Sequence, residues 1–342
     1  MISDSEPTAG KPVDHARMNV KALLAALLLA GLSVTSAAAQ TAAPLPEIRV
    51  AISTSDQGTA LLYADSAGLF RKAGLNVTVT KMRSGAEIVA GIVGGALEIG
   101  NASVVTVIEG HARGVPFQMI APTTYYSADK RDSGLIVPVA SALKAPRDLI
   151  GKNVGVVSLQ DIFTLSLLVW LRQQGVDPQG VHFVEMPPPA AAAAMDQGRL
   201  DAALVFQPVM SQDVDSQKFR ILGYPLDAMG KVSEVSAYVA MPDWVAAHRD
   251  IVDRFNRVLY DASVYVGKHE RETGPILAAW AGVDPQIVAT MTRPGRALYL
   301  EPEALQSFVD ESAKFKLIDK PFPVAELISP AALKPPRGSR TP

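Results

Sequence analysis

The sequence predicts an α/β protein built as two similar lobes, and three observations predict it. The chain has 342 residues, more than one core comfortably serves when domains run to about 100–200 residues. From Glu47 onward, short apolar runs alternate with segments of helical period, with turn residues between them, the pattern of strands laid beside helices. A short motif also occurs twice, as Gly95-Ala96-Leu97-Glu98-Ile99 and Gly198-Arg199-Leu200-Asp201-Ala202, each time between a helical segment and an apolar run.

The elements follow in order. Residues 48–53 read as the first strand, and 59–73, with Leu61, Leu62, Ala64, Leu69 and Phe70 on one stripe, as a helix stopped by Gly74. Residues 75–81 alternate as the next strand. Ser84 and Glu87 form a capping box that opens a helix ending near Gly94-Gly95. A strand over 98–101, a helix over 103–113, a turn at Gly114-Val115-Pro116 and a strand over 117–121 complete the first block. The second block begins near Gly134, with strands over 135–139, 153–157 and 202–206 and helices over 161–174 and 189–197. Residues 237–241 read as a strand returning to the first lobe, and 242–272 as a long helical region. Shorter helices are expected within 301–330, and a disordered tail over 331–342.

Composition narrows the function. Hydrophobic residues make up 48% and charged residues 19%, which suits a packed globular chain. A net charge of −2, without a long basic run, removes the electrostatic footprint that nucleic acid requires. The apolar stretch 22–32 follows Arg17 and Lys21 and precedes Ser36-Ala37-Ala38-Ala39-Gln40. It is about half the ~20 residues of a membrane span, so residues 1–39 read as a cleaved secretory signal, with Met18 as an alternative start. Cysteine is absent, which excludes disulfides, thiolate metal sites, thiol nucleophiles and a lipid-anchoring cysteine after the signal.

No catalytic pattern stands out. His15, His111, His182, His248 and His269 are scattered, and there is no G-x-S-x-G elbow, Walker loop or G-x-G-x-x-G run. The chain is read as a binding protein and not an enzyme, with no cofactor and no metal.

Candidate ligand contacts come from loops beyond the carboxyl ends of strands, where helix N-termini present free N–H groups. Ser53, Thr54, Asp56, Gln57 and Thr59 follow the first strand; Arg83, Ser84 and Gly85 begin one helix; Ser158, Gln160 and Asp161 begin another. Asn101 and Ser103, Gln207, and Tyr125 beside Tyr126 follow other strands. Each has a plainer reading: helix capping for the hydroxyls, with Glu87 and Asp161 as capping partners, turn chemistry for Asn101 and Gln207, and a solvated charge for Arg83. The hydroxyls favour a small organic anion, whereas Asp56, Glu87 and Asp161 would suit an amine-bearing ring.

Four stretches carry a family resemblance. Ala64-Asp65-Ser66-Ala67-Gly68-Leu69-Phe70-Arg71-Lys72-Ala73-Gly74-Leu75-Asn76-Val77 is similar to a family opening in which Asp usually stands at the position of Asn76. Leu143-Lys144-Ala145-Pro146-Arg147-Asp148-Leu149-Ile150-Gly151-Lys152-Asn153-Val154-Gly155-Val156 resembles the segment entering the second lobe. Met241-Pro242-Asp243-Trp244-Val245-Ala246-Ala247-His248-Arg249-Asp250 and Ile318-Asp319-Lys320-Pro321-Phe322-Pro323-Val324 resemble the return helix and the C-terminal signature, while Glu98 replaces a common Asp. The family is that of the periplasmic solute-binding proteins for nitrate, sulfonates, taurine and thiamine-precursor pyrimidines.

The resemblance implies a type II-like periplasmic binding fold with two crossovers, near 131–134 and 236–239, and a central cleft that closes over its ligand. It places 47–133 with 240–300 in lobe 1 and 134–239 in lobe 2. It implies a freely soluble periplasmic monomer, a small-molecule ligand and the membrane permease of an ABC importer as partner; a periplasmic sensor is the alternative class. Desulfinases on this fold use a cysteine, which this chain lacks, and thiamine-pyrimidine synthases use histidine-rich sites in the cytosol.

Overall fold

A computed structural model describes residues 47–336 together with residues 1, 10 and 45. The expected export signal, its apolar stretch 22–32 and the alternative start at Met18 lie outside the described residues, as do residues 337–342.

Strands β1 (Glu47–Ile52), β2 (Asn76–Lys81), β3 (Ile99–Ser103) and β4 (Gln118–Pro122) alternate with helices α1 (Thr59–Ser66), α2 (Leu69–Lys72), α3 (Gly85–Val93) and α4 (Val104–Ala112). Strand β5 (Thr124–Ser127) leads to β6 (Ser133–Pro138), β7 (Asn153–Val156), α5 (Ile162–Gln173), β8 (His182–Glu185), α6 (Pro188–Asp196), β9 (Ala202–Phe206), α7 (Val209–Asp215) and β10 (Phe219–Gly223). The chain continues through β11 (Val232–Glu234), β12 (Ser236–Ala240), α8 (Pro242–Ala247), α9 (Arg249–Lys268), α10 (Glu270–Ala281), α11 (Pro285–Thr290), β13 (Gly295–Arg296) and α12 (Pro302–Lys314).

Two of the expected helices are divided. Gly68 takes a φ of 66° and ends α1, so the apolar stripe of 59–73 is shared by two helices. The region 242–272 breaks at His248 and again at His269. At each break the imidazole Nδ1 donates to the carbonyl four residues back, Trp244 at 2.9 Å and Tyr265 at 2.8 Å, and the ring stacks on that same aromatic side chain.

The strands form two five-stranded sheets of one design, ordered β2-β1-β3-β12-β4 and β8-β7-β9-β6-β10. In each, the fourth strand in this order, β12 or β6, runs antiparallel to the other four. The repeated motif occupies equivalent places. Gly95 and Gly198 both have positive φ, at 71° and 69°, ending α3 and α6. Leu97 and Leu200 are buried behind them. The Glu98 carboxylate accepts the Arg49 N–H of β1 at 2.7 Å, and that of Asp201 accepts the Asn153 N–H of β7 at 2.9 Å. The carboxylate ties the incoming strand to its parallel neighbour, which is why an acid stands there in both halves.

The first sheet is covered by α1 and α9: Ile48, Val50 and Ile52 pack with Leu61, Phe70, Phe255 and Leu259. In the second, Ile136 and Val205 pack with Met195 and Met210. Between the sheets run β5 and β11, antiparallel to each other, with β13 on the far side of β5. The expected second crossing at 236–239 is corrected: those residues belong to β12, already hydrogen-bonded to β3 and β4, so the chain returns in β11 before Ser236. Helix α12 packs on α4, α5 and β11. The start of the expected tail is also packed, because Ala331 is buried and its carbonyl accepts from Asn256 Nδ2 at 3.0 Å, while residues 334–336 are exposed.

Candidate functional site

The N-termini of α3, α4 and α5 converge on a recess between the two sheets. Ser84 is the N-cap of α3, Ser103 of α4 and Asp161 of α5. These three residues line the recess with Ser53, Gln57, Arg83, Gly85, Asn101 and Ser158, around a free volume of about 50 Å³. Loops distant in sequence meet here because each follows the carboxyl end of a strand, where backbone N–H groups of the next helix point outward.

The structure sends the other expected residues elsewhere. Thr54 does not line the recess. Asp56 is 2% exposed and turns into the protein, where Arg293 Nη2 and Arg296 Nη2 donate to its Oδ1 at 2.8 and 2.7 Å and Arg293 Nε donates to Oδ2. Burial opposes its ionisation, but Arg296 and Arg293 prevail and hold the carboxyl well below its usual range. Thr59 is buried and donates to Asp56 Oδ1 at 2.6 Å. The Tyr125 ring lies over Gly295, where a Cβ would come within 2.0 Å of it. Gln160 offers its carbonyl to Thr106 Oγ1 at 2.6 Å. The Gln207 amide folds onto Ser211, donating to its hydroxyl at 2.8 Å and accepting its N–H at 3.2 Å.

Sequence reasoning missed Thr106, Val157, Ile162, Phe163 and Val235 as lining residues; Ser55 and Phe206, which also line the recess, stand in the strand-end loops it did point to. Phe163 and Phe206 stack at 4.9 Å between ring centres and supply a flat aromatic surface in the recess. Tyr126 is instead fully buried, its hydroxyl bonded to Asp227. Phe206 ends β9 directly before Gln207; the strand-end rule pointed to the right loop and the neighbouring residue carries the contact.

The capping box at α3 is offset by one residue. Ser84 Oγ accepts the Glu87 N–H at 3.2 Å, but the Glu87 carboxylate accepts from Arg83 N–H at 2.9 Å instead of Ser84. That backbone bond comes first among the causes that lower the Glu87 pKa. Arg83 thus stands at the rim, its guanidinium exposed and 3.4 Å from Glu87.

Hydrogen-bond polarity decides what the recess can hold. Ser103 Oγ accepts N–H bonds from Val105 at 3.2 Å and from Ile162 at 2.9 Å; Ser158 Oγ accepts from Gln160 N–H at 3.2 Å. A hydroxyl that accepts from backbone in this way keeps its own hydrogen to give. Ser236 Oγ donates to Gln57 Oε1 at 3.0 Å and accepts from Asn101 Nδ2 at 3.1 Å, with the Thr123 hydroxyl at 2.5 Å as a third partner. Gln57 therefore has its carbonyl engaged and its NH₂ donors spare. The walls are rich in donors. Asp161 is the acidic group among them; burial pushes its carboxyl up to about 7, and nearby Glu109 adds to this. Among the described residues, no group of three His, Cys, Asp or Glu side chains could hold a metal. Nor is any described helix long and apolar enough to cross a membrane.

The comparisons agree with this architecture. The chain is 27% identical over 215 residues to the taurine-binding periplasmic protein of Escherichia coli K12, a match spanning 63% of this chain and 65% of that protein. It is 25% identical over 303 residues to the putative aliphatic sulfonates-binding protein of Bacillus subtilis 168, covering 85% and 88% of the two chains. The crystal structure of the periplasmic aliphatic sulphonate binding protein SsuA from Escherichia coli superposes with a TM-score of 0.68 at 18% identity, over 86% of this chain and 96% of that one. The desulfurization enzyme DSZB shares the fold as well, with a TM-score of 0.61 at 16% identity over 83% and 96% of the chains. The family model described as NMT1/THI5 like matches residues 56–273; that is more than half of the 342 residues, and the chain belongs to this family.

Proposed function

We propose that this protein is the exported substrate-binding component of an ABC importer, capturing a small organic anion such as a sulfonate or carboxylate between its lobes and handing it to a membrane permease without converting it. The observation that carries this reading is the set of hydroxyls at Ser84, Ser103 and Ser158, whose lone pairs serve backbone N–H groups and whose hydrogens are left for an acceptor. Three helix N-termini add partial positive charge to the same space. The ligands named for the relatives, taurine and aliphatic sulfonates, all carry a sulfonate group. The working form is a soluble monomer in the periplasm, without a lipid anchor because the chain has no cysteine. Ser53, Gln57, Arg83, Ser84, Gly85, Asn101, Ser103 and Ser158 are the proposed contacts.

A second reading rests on Asp161 beside the Phe163–Phe206 stack, which would suit an amine-bearing ring. Against it, Asp161 Oδ1 already accepts the Thr164 N–H at 2.9 Å and burial opposes its charge. A thermal-shift series with methanesulfonate, taurine, nitrate, acetate and an aminopyrimidine separates the two, because a ligand of the folded state raises the melting temperature. The anions are expected to raise it. A shift with the aminopyrimidine alone would overturn the anion reading.

A further inference from the structure

The loop that carries Ser53, Ser55 and Gln57 into the recess rests on two buried guanidiniums and one carboxylate. Arg293 and Arg296 are 4% and 8% exposed and Asp56 is 2% exposed. Beyond the bonds to the carboxylate, Arg296 Nη1 donates to the Asp56 main-chain carbonyl at 2.9 Å, and Arg293 Nη1 to the Glu270 carbonyl at 3.1 Å. Arg296 Nε is buried without a partner. Two cations against one anion leave an excess positive charge. That excess lies at the peptide joining Asp56 to Gln57, a residue of the recess wall.

Burying a second guanidinium is costly, and a folding role needs only the balanced pair of Asp56 and Arg293. A buried charge is also weakly screened and acts over distances at which surface charges do not. Resting on the reading of the recess as an anion site, we infer that Arg296 is a positioning and specificity-determining residue, supplying from beneath the loop the net positive charge that favours an anionic ligand over a neutral one.

A neighbouring group would tune this charge. Asp132 is buried between β5 and β6, where the charged groups facing it are Asp56 and Arg296; adjacent Arg131 is turned to Asp227 at 2.7 Å. Burial, then Asp56, pushes the Asp132 carboxyl up to about 7, so the cluster loses its excess charge as Asp132 ionises.

The experiment is titration calorimetry of the full mature chain with methanesulfonate, nitrate and acetate, on the wild type and on Arg296→Gln, Arg296→Lys and Asp132→Asn, with thermal unfolding recorded for each. Arg296→Gln is expected to weaken the tightest-bound anion about tenfold, and Arg296→Lys, which keeps the charge but not the two-pronged bond to Asp56, to stay within about threefold. If Gln and Lys weaken binding equally, or neither does, the charge role is overturned. Should Arg296→Gln not fold, Asp132→Asn decides: anion affinity is expected to fall between about pH 6 and pH 8.5 in the wild type and less steeply in the variant, where Asp161 of the recess wall still ionises. The same pH slope in both would overturn the inference. A wild type that binds none of the three anions removes the anion reading and this inference together, whereas failure of the variants alone leaves the anion reading in place.

Discussion

The hydroxyl of Ser103, at the start of α4, accepts the backbone N–H of Ile162, at the start of α5, at 2.9 Å. One turn further along α4, Thr106 donates to the carbonyl of Gln160 at 2.6 Å. These bonds join the helix N-termini of the two lobes beside the recess. Any motion that separates the lobes must break them.

Ser103→Ala should therefore weaken anion binding by more than about fivefold, the worth of roughly 1 kcal/mol for the bond between the lobes, because it also removes a proposed donor to the anion. Calorimetric titration with methanesulfonate checks this. An unchanged dissociation constant would mean that the bond persists whether or not the cleft is closed.

Ser84 and Ser158 should report on the ligand more than on the fold. Replacing both by Ala removes one helix cap and one loop bond, about 1 kcal/mol each. It also removes two donors to the anion, so affinity should drop at least about a hundredfold, since hydrogen bonds to charged groups are each worth about 1.5–3 kcal/mol. Urea unfolding and ligand titration of the double variant separate the effects; proportional losses would mark both residues as caps alone.

Stability should fall as pH rises through neutrality. Burial pushes Glu109 and Asp161 up to about 7 and Glu234 to about 8. Each carboxyl then holds its proton in the folded state at pH values where the unfolded chain has lost it, so folding takes up protons between about pH 4 and pH 8 and is disfavoured as pH increases. Asp56 has the opposite sign, but its contribution is lost only under strong acid, below the unfolded value. The melting temperature should be highest near about pH 4 and decline toward about pH 8. Glu234→Gln should flatten the upper part of that decline, and a melting temperature rising with pH would contradict the argument.

Asp56→Asn should destabilise the chain by about 3–5 kcal/mol, because it leaves Arg293 and Arg296 buried without their carboxylate. A shift of the urea midpoint measures this. A change under about 1 kcal/mol would mean that the guanidiniums find water in the folded state.

What the sequence disclosed was set by how local the signal was. The helix starts at Ser84 and Asp161 are written within four residues, and the doubled glycine-to-acid motif marked the same strand entry in both sheets. Strands β5 and β11, at four and three residues, are too short for a period to emerge. Asp56 looked like a ligand contact because it stands in the right loop, and the arginines that claim it lie 237 and 240 positions away. Trp280, whose indole N–H holds the Ser53 carbonyl at 2.8 Å, is 227 positions away. Phe163, in the first turn of an apolar helix, reads as core until Phe206 is seen to face it.

The crossing strands β5 and β11 are laced together through three residue pairs, Ser127 with Val232, Tyr126 with Ser233 and Tyr125 with Glu234. A ribbon so joined flexes about one line, as a strip of spring steel does, where two separate threads would allow the halves to swivel. The loops at Ser84 and Ser158, once parted, are thereby guided back into the same alignment at every swing.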